Sequence, residues 1–281
     1  MKFSQRLALS YNRTKFKLLS AISKKKAARK AFELFREPQR RHRKPLPEIF
    51  AEAENLHFSI EGATITGWRW NHPADKKVLI VHGFESSVTN FDDYIGLLIK
   101  KGYEVLAFDA PAHGRSGGKT ITAPLYKDTI KEINKLYGPI DSFIAHSFGG
   151  LAVSLALEEI KHTDFTKLVL IAPATETEGA IDSFFKTIRL DDPLVREEFE
   201  KVIIKEAGVN SSWYSIRRAM NNIRAKTLWL HDHEDDTTPI SDAIKVQQEN
   251  HRNINFVFST GLGHRRIYRD NKVQKAILDF L

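Results

Sequence analysis

The chain has 281 residues, 42% of them hydrophobic and 28% charged, long enough for folding to hide roughly 75% of the surface that the unfolded chain exposes. It contains no cysteine, which excludes a disulfide framework, cysteine-ligated zinc or iron–sulfur sites and a thiol nucleophile. The net charge of +8 conceals an asymmetry: residues 1–44 carry 15 Lys and Arg against only Glu33 and Glu37, a balance of +13, and the remainder sums to −5.

No apolar run approaches the ~20 residues of a membrane span. The Leu-Ala-Leu that follows the opening Met-Lys-Phe-Ser-Gln-Arg is too short for the apolar stretch of a secretory signal, so a cytoplasmic location is expected. Within the basic arm, Phe16, Leu19 and Ile22, then Ala28, Ala31, Phe32 and Phe35, recur at three- and four-residue steps, the spacing of one helix face. Two amphipathic basic helices are expected. Pro38, Pro45 and Pro47 disfavour helix at and before their own positions and close the arm, which is assigned to residues 1–50.

From about residue 55 strand and helix patterns alternate. Leu56–Ile60 and Ile65–Trp70, joined at Glu61-Gly62, read as an antiparallel hairpin. The later strands, Val78–Val81, Val105–Phe108, Phe143–Ala145, Leu168–Ile171, Leu228–Leu230 and Phe256–Phe258, are apolar throughout, as strands covered on both faces are. Helical patterns at 91–100, 125–136, 148–160, 240–249 and 272–281 supply the covering layers. The expected architecture is α/β: a mostly parallel eight-stranded sheet with helices on both faces, its core formed by residues 51–174 and 225–281. Between Ile171 and Leu228 lie more than 50 residues without a strand, too long for a structureless loop. A helical cap insertion is assigned to residues 175–224, with segments around 179–189, 193–206 and 212–223. Its Phe184, Phe185, Trp213, Tyr214 and Met220 either roof a substrate pocket or pack the insertion itself.

The segment Ser142-Phe143-Ile144-Ala145-His146-Ser147-Phe148-Gly149-Gly150 runs from a strand through a serine directly into a helical pattern. A serine at such a corner sits on a tight, strained turn with its hydroxyl projecting from the sheet edge, and small residues two positions to either side, here Ala145 and Gly149, make the turn possible. Ser147 also opens a helix, where peptide dipoles favour developing negative charge. A serine hydroxyl needs a base, and the base needs a carboxylate to fix its tautomer. In the chain order of nucleophile, acid and histidine, only His251 and His264 come late enough. His251 lies in a polar turn, whereas His264 ends the glycine-rich loop Gly261-Leu262-Gly263 directly after a strand, at the edge where open α/β sheets bind ligands. His264 is therefore taken as the base. The loop His231 through Pro239 must supply the acid. Asp235, three residues before the helix-opening Thr238-Pro239, is the first choice and Asp236 the second, while Asp232 and Glu234 read as solvated or capping charges. Backbone N–H groups of Phe148, after the nucleophile, and Phe84, in the loop His82-Gly83-Phe84, are placed to hold an oxyanion. His82 is read as ordering that loop, and Asp109 and His113 as bonding backbone nearby. Arg265 and Arg266 either meet an anionic substrate group or begin the last helix.

Together these segments, with Phe108 through Ser116, resemble the α/β-hydrolase superfamily over roughly residues 55–281; the Gly-Leu-Gly-His-Arg-Arg ending and the basic arm are similar to a bacterial group of that superfamily. The resemblance implies a triad of Ser147, Asp235 and His264, a helical cap and hydrolysis through an acyl-enzyme, with no metal or organic cofactor. The expected substrate is a small acyl compound, an ester or thioester. The alternative is a weakly catalytic hydrolase-fold protein working through its arm. Residues 1–44 are expected to hold an anionic membrane surface peripherally, with nucleic acid the less favoured partner and a merely solvated or self-packed face the remaining reading.

Overall fold

The computed structural model describes residues 3–41, 43 and 45–281, with side chains from Arg13 onward. The arm forms α1 (Phe3–Ile22) and α2 (Lys24–Phe35). Ser23 breaks them apart: its backbone is extended and its hydroxyl accepts the Lys26 N–H, which opens α2. β1 (Glu54–Ile60) and β2 (Ala63–Trp70) form the expected hairpin. Glu61 and Gly62 at its tip both have positive φ, 46° and 75°, the conformation whose twist matches that of two paired strands.

β3 (Lys76–Val81), α3 (Asp92–Lys100), β4 (Tyr103–Phe108), α4 (Ala123–Tyr137), β5 (Ser142–His146), α5 (Phe148–Leu157) and β6 (Lys167–Ile171) follow in strict alternation. The insertion contributes α6 (Thr177–Ile188), α7 (Pro193–Ala207) and the single turn α8 (Ile216–Ala219). β7 (Lys226–Asp232), α9 (Ile240–Gln248), β8 (Ile254–Ser259), the single turn α10 (Gly263–Arg266) and α11 (Asn271–Phe280) complete the chain. The eight strands lie in the order β1-β2-β4-β3-β5-β6-β7-β8, antiparallel as far as β4 and parallel from there.

Side chains alternate across the sheet because successive Cβ atoms in a strand point to opposite faces. Val78, Ile80, Val105, Ile144 and Val169 share one apolar cluster with Tyr94, Ile95 and Leu98 of α3 and Val273 and Ile277 of α11. Leu79 and Phe108 line one small cavity with Tyr126, Ile130 and Ile133 of α4. Every residue of β4 is buried, Glu104 included, and Val105 through Phe108 form the apolar run that burial on both faces selects. The chain leaves β3 for β4 on one side and returns to β5 on the other. The carboxyl ends of β3 and β5 therefore flank the point where the winding direction reverses, the place where open α/β sheets carry their ligand crevice.

The chain divides into two compact units: Met1–Glu37 with Glu176–Tyr214, and Pro38–Thr175 with Ser215–Leu281. These boundaries differ from the sequence expectation of an arm to residue 50 and a separate cap over 175–224. The arm helices and the insertion fold as one unit because α2 packs on α7 and α1 on α6, and the stretch from Pro38 belongs with the core. Two local expectations also change. The segment around 212–223 is no continuous helix, since Ser215 adopts extended backbone and its hydroxyl caps the Arg218 N–H to start α8 anew. Ile22 is 77% exposed although Phe16 is buried. Two three-residue steps fall about 120° short of closing on the same face of a 3.6-residue helix, so the buried line of α1 runs through Phe16 and Ser20 instead.

Candidate active site

Ser147 stands between β5 and α5 with φ 54° and ψ −124°, a conformation costing a side-chain-bearing residue on the order of 1–3 kcal/mol. Two backbone bonds hold it there: the Ser147 N–H donates to Ile171 O at 3.1 Å, and Ser147 O accepts from the Ala174 N–H at 3.0 Å. Packing around this corner is close enough to exclude a single methyl group. A Cβ on Gly149 would stand 2.6 Å from His82 O, and one on Gly83 would stand 2.9 Å from the Ser147 Cβ. Glycine at these two positions lets the loop after β3 and the first turn of α5 approach the serine.

The loops after β7 and β8 bring the other two side chains to it. The Ser147 hydroxyl lies 3.0 Å from His264 Nε2, and His264 Nδ1 lies 2.8 Å from Asp235 Oδ2. All three residues are buried. Asp235 Oδ1 accepts the Thr237 and Thr238 N–H groups, each at 2.8 Å, and Oδ2 accepts the Thr238 hydroxyl at 2.8 Å. Burial pushes the Asp235 carboxyl up, but the hydrogen bond and charge of His264, with the Thr238 and Thr237 amides, outweigh it and hold the group below the ordinary aspartate range. Asp236, by contrast, is exposed and bonded to Thr237 Oγ1. With Oδ2 occupied by His264 and Thr238, Asp235 is fixed as a carboxylate aimed at the imidazole.

Three residues around this trio carry parts of the site for which the sequence holds little signal. His231 lies 3.6 Å from Asp235; its Nε2–H donates to Thr238 O, its Nδ1 accepts the Trp229 indole N–H, and burial lowers its pKa. Thr238 reads in the sequence as a helix opener, yet its hydroxyl also sits 3.1 Å from His264 Nδ1. Asp232, read as a solvated or capping charge, is buried and accepts the Glu234 N–H at 3.0 Å. Burial opposes its charge, yet bonds from Ser259 and the Gly263, Glu234 and Leu262 amides hold its carboxyl down at about 2. It thereby ties the loop after β7 to the loop carrying His264.

The remaining histidines near the serine are hydrogen-bonded to backbone. His82 Nδ1–H donates to Gly83 O at 2.7 Å and its Nε2 accepts the Ala110 N–H at 2.9 Å, which orders the Gly83-Phe84 loop. His113 donates to Pro111 O and accepts the Glu85 N–H, and burial pushes its ring down to about 3. His146 donates to His264 O at 3.0 Å beside the His264 and Tyr268 rings; burial foremost lowers it to about 3. Asp109 accepts the Val88 and Arg115 N–H groups. Phe148 N–H lies in the first turn of α5, where amides lack an intrahelical acceptor, and Phe84 follows Gly83 directly. The Phe84 and Phe148 rings meet edge to face at 6.2 Å, and Phe84 keeps 38% of its surface exposed.

The aromatic residues expected to roof a pocket are engaged in packing. Phe184 meets Phe35 of α2 at 5.3 Å, Phe185 meets Phe199 of α7 at 5.2 Å, and Trp213 meets Tyr214 at 5.2 Å. Met220 is buried inside the core unit. Phe185 and Met220 are buried, whereas Phe184 and Trp213 keep part of their surface accessible, and the folding of α2 against α7 uses aromatic surface that the sequence alone leaves unassigned. Arg265 and Arg266 belong to α10 and are exposed, with Arg266 donating to Leu262 O and Gly261 O.

A serine on a strained corner at the carboxyl end of β5, with a carboxylate after β7 and a histidine after β8 on a mostly parallel eight-stranded sheet, is the arrangement of the α/β-hydrolase fold, and the chain has that fold. A family model described as serine aminopeptidase, S33, matches residues 72–190. An esterase of Pyrococcus furiosus superposes with a TM-score of 0.66 at 22% identity, covering 87% of this chain and 96% of that one. Two Bacillus subtilis proteins are similar over shorter stretches. The uncharacterized hydrolase YugF is 29% identical over 119 residues, 41% of this chain and 42% of its own. The uncharacterized protein YqkD is 33% identical over 94 residues, 32% of this chain and 31% of its own. The matches thus span less than half the length of either curated relative.

Proposed function

We propose that the protein is a serine hydrolase that cleaves a carboxylic ester, with a thioester as the nearest alternative bond, through an acyl-enzyme on Ser147. The observation that carries this reading is the unbroken line from Ser147 Oγ to His264 Nε2 at 3.0 Å and from His264 Nδ1 to Asp235 Oδ2 at 2.8 Å. In the proposed reaction His264 Nε2 takes the hydroxyl proton as Ser147 Oγ attacks the carbonyl carbon, and Asp235 stabilises the resulting imidazolium. The Phe84 and Phe148 amides receive the oxyanion. His264 passes the proton to the leaving alcohol, the acyl group stays on Ser147, and a water deprotonated by His264 then releases the acid.

An apolar acyl part is supported by the exposed Phe84 ring beside Phe148 and by Tyr126, whose ring lies 5.7 Å from that of Phe148. The likeness to an esterase supports the ester as the bond. Labelling with a fluorophosphonate probe tests the nucleophile: the wild type is expected to react and Ser147→Ala to be inert, with turnover lowered by about 10⁶-fold, as in other triad knockouts. A panel of p-nitrophenyl esters of graded length beside acyl-CoA thioesters then selects the bond. A folded wild type that neither labels nor turns over any of them overturns the reading.

A further inference from the structure

We propose that the α1–α2 tip is a docking surface for an anionic lipid bilayer, inserting Leu18 and Ile22 while Lys17, Lys25, Lys26 and Arg29 meet the headgroups. Leu18 and Ile22 are 61% and 77% exposed, four residues apart and therefore on one face of α1. The opposite face is the one folded into its unit, through Phe16 and Ser20. Across the break at Ser23 the pattern repeats: Ala27, Ala28, Ala31 and Phe32 are buried, and Lys25, Lys26 and Arg29 face outward. Leu18 through Lys26 thus sets two exposed apolar side chains and two exposed ammonium groups within nine residues.

The charge carried by this segment is of one sign. Residues 13–32 hold eight Lys and Arg and no acid. Among these, Lys24 is engaged by Asp192 and Lys30 by Glu33, so part of the charge is used inside the unit. Lys17, Lys25, Lys26 and Arg29 are exposed. Exposed aliphatic side chains ringed by cations match a surface that is hydrocarbon beneath and phosphate above, the composition of an interfacial amphipathic helix. A nucleic acid would use the cations and leave Leu18 and Ile22 in water. A second copy would have to bring two like-charged faces together across a two-fold axis.

The test is co-sedimentation of the full chain with vesicles of phosphatidylcholine alone and with phosphatidylglycerol added. Binding is expected only with phosphatidylglycerol and weakens as salt is raised. Leu18→Ser with Ile22→Ser is expected to lower affinity by about tenfold or more, the loss of two inserted side chains. Lys25→Gln with Lys26→Gln is expected to lower it by about thirtyfold at low salt. All four positions are exposed, and circular dichroism checks that both variants fold. The proposal is overturned if the wild type ignores anionic vesicles, or if the serine pair leaves affinity unchanged. It is equally overturned if that pair converts a dimer to a monomer in sedimentation velocity, or if a DNA duplex is bound as tightly as the vesicles. None of these readouts depends on hydrolytic activity.

Discussion

The two units bury different kinds of side chain. In the core unit Asp109, Asp232, Asp235, His82, His146 and His231 are buried, each bonded to backbone or to another side chain. In the unit of Met1–Glu37 with Glu176–Tyr214 the interior is aromatic and aliphatic, and the charges stay outside in pairs such as Lys24 with Asp192 and Lys201 with Glu198. A buried ionisable group is tolerated only where fixed partners compensate its lost hydration, and fixed partners are also what hold a reactive constellation in place. Surface ion pairs contribute little to stability. The buried, hydrogen-bonded ionisable groups around Ser147 thereby lie in the core unit, and the run of exposed cations of α1 and α2 lies in the other.

The largest effect that sharpens this contrast is expected at Asp235. Asp235→Asn keeps the shape of the side chain but no longer stabilises the imidazolium or the Nδ1–H tautomer, and turnover is expected to fall by about 10⁴-fold. Steady-state kinetics on the best ester of the panel measures it. A fall of less than tenfold means that the buried carboxylate is scaffolding only, and the contrast between the units loses its functional half.

The converse experiment loosens the aromatic unit. Phe199 is fully buried, with its ring 5.7 Å from Phe32, 5.8 Å from Phe35 and 5.2 Å from Phe185. Phe199→Ala is expected to destabilise that packing by about 3–5 kcal/mol. Trypsin should then cut within Lys24–Lys30 much faster, while fluorophosphonate labelling of Ser147 persists. Cleavage and loss of labelling rising in step would mean that the two units melt as one.

What the sequence discloses divides along the same line. The strands of the core could be read because burial on both faces leaves an apolar run with no other explanation. The positions of Ser147 and His264 could be read because a small-residue corner and a glycine-rich loop follow such runs. Asp235 required a spacing argument among four crowded carboxylates, and nothing local shows that Asp232 is buried too, since that follows from Ser259 and Leu262 on the next strand and loop. The arm was legible as helix but not as to its partner. Whether Phe184 lines a pocket or meets Phe35 depends on where α2 lies, and periodicity in one segment carries no information about the segment it will touch. The misplaced Ile22 has a simpler origin, a three-residue period read as a helix face.

The smallest expected effect concerns pH, and it is a property of the buried histidines of the core unit alone. Burial pushes His113 and His146 down to about 3 in the folded protein, against roughly 6.5 in an unfolded chain. Between those values the unfolded state binds the proton and the folded state does not, so stability falls as pH is lowered, at about 1.4 kcal/mol per pH unit for each histidine. The contribution is complete above about pH 6.5 and is lost progressively toward pH 3. Asp232 and Asp235, lowered in the folded state, lose their stabilising effect only at pH below the unfolded carboxylate range, about 3.9. Asp109, raised by burial, acts in the opposite sense, so a window from about pH 6 to 4.5 reports His113 through the difference between a variant and the wild type. His113→Gln preserves both hydrogen bonds in kind, an amide N–H toward Pro111 O and an amide oxygen for the Glu85 N–H, but cannot take up a proton. Denaturant titrations across the window should show the slope of stability against pH reduced in this variant by about 1.4 kcal/mol per unit. Equal slopes in variant and wild type would mean that the folded protein protonates His113 as readily as the unfolded chain does, and that the core unit does not exclude charge from its interior as its hydrogen bonding indicates.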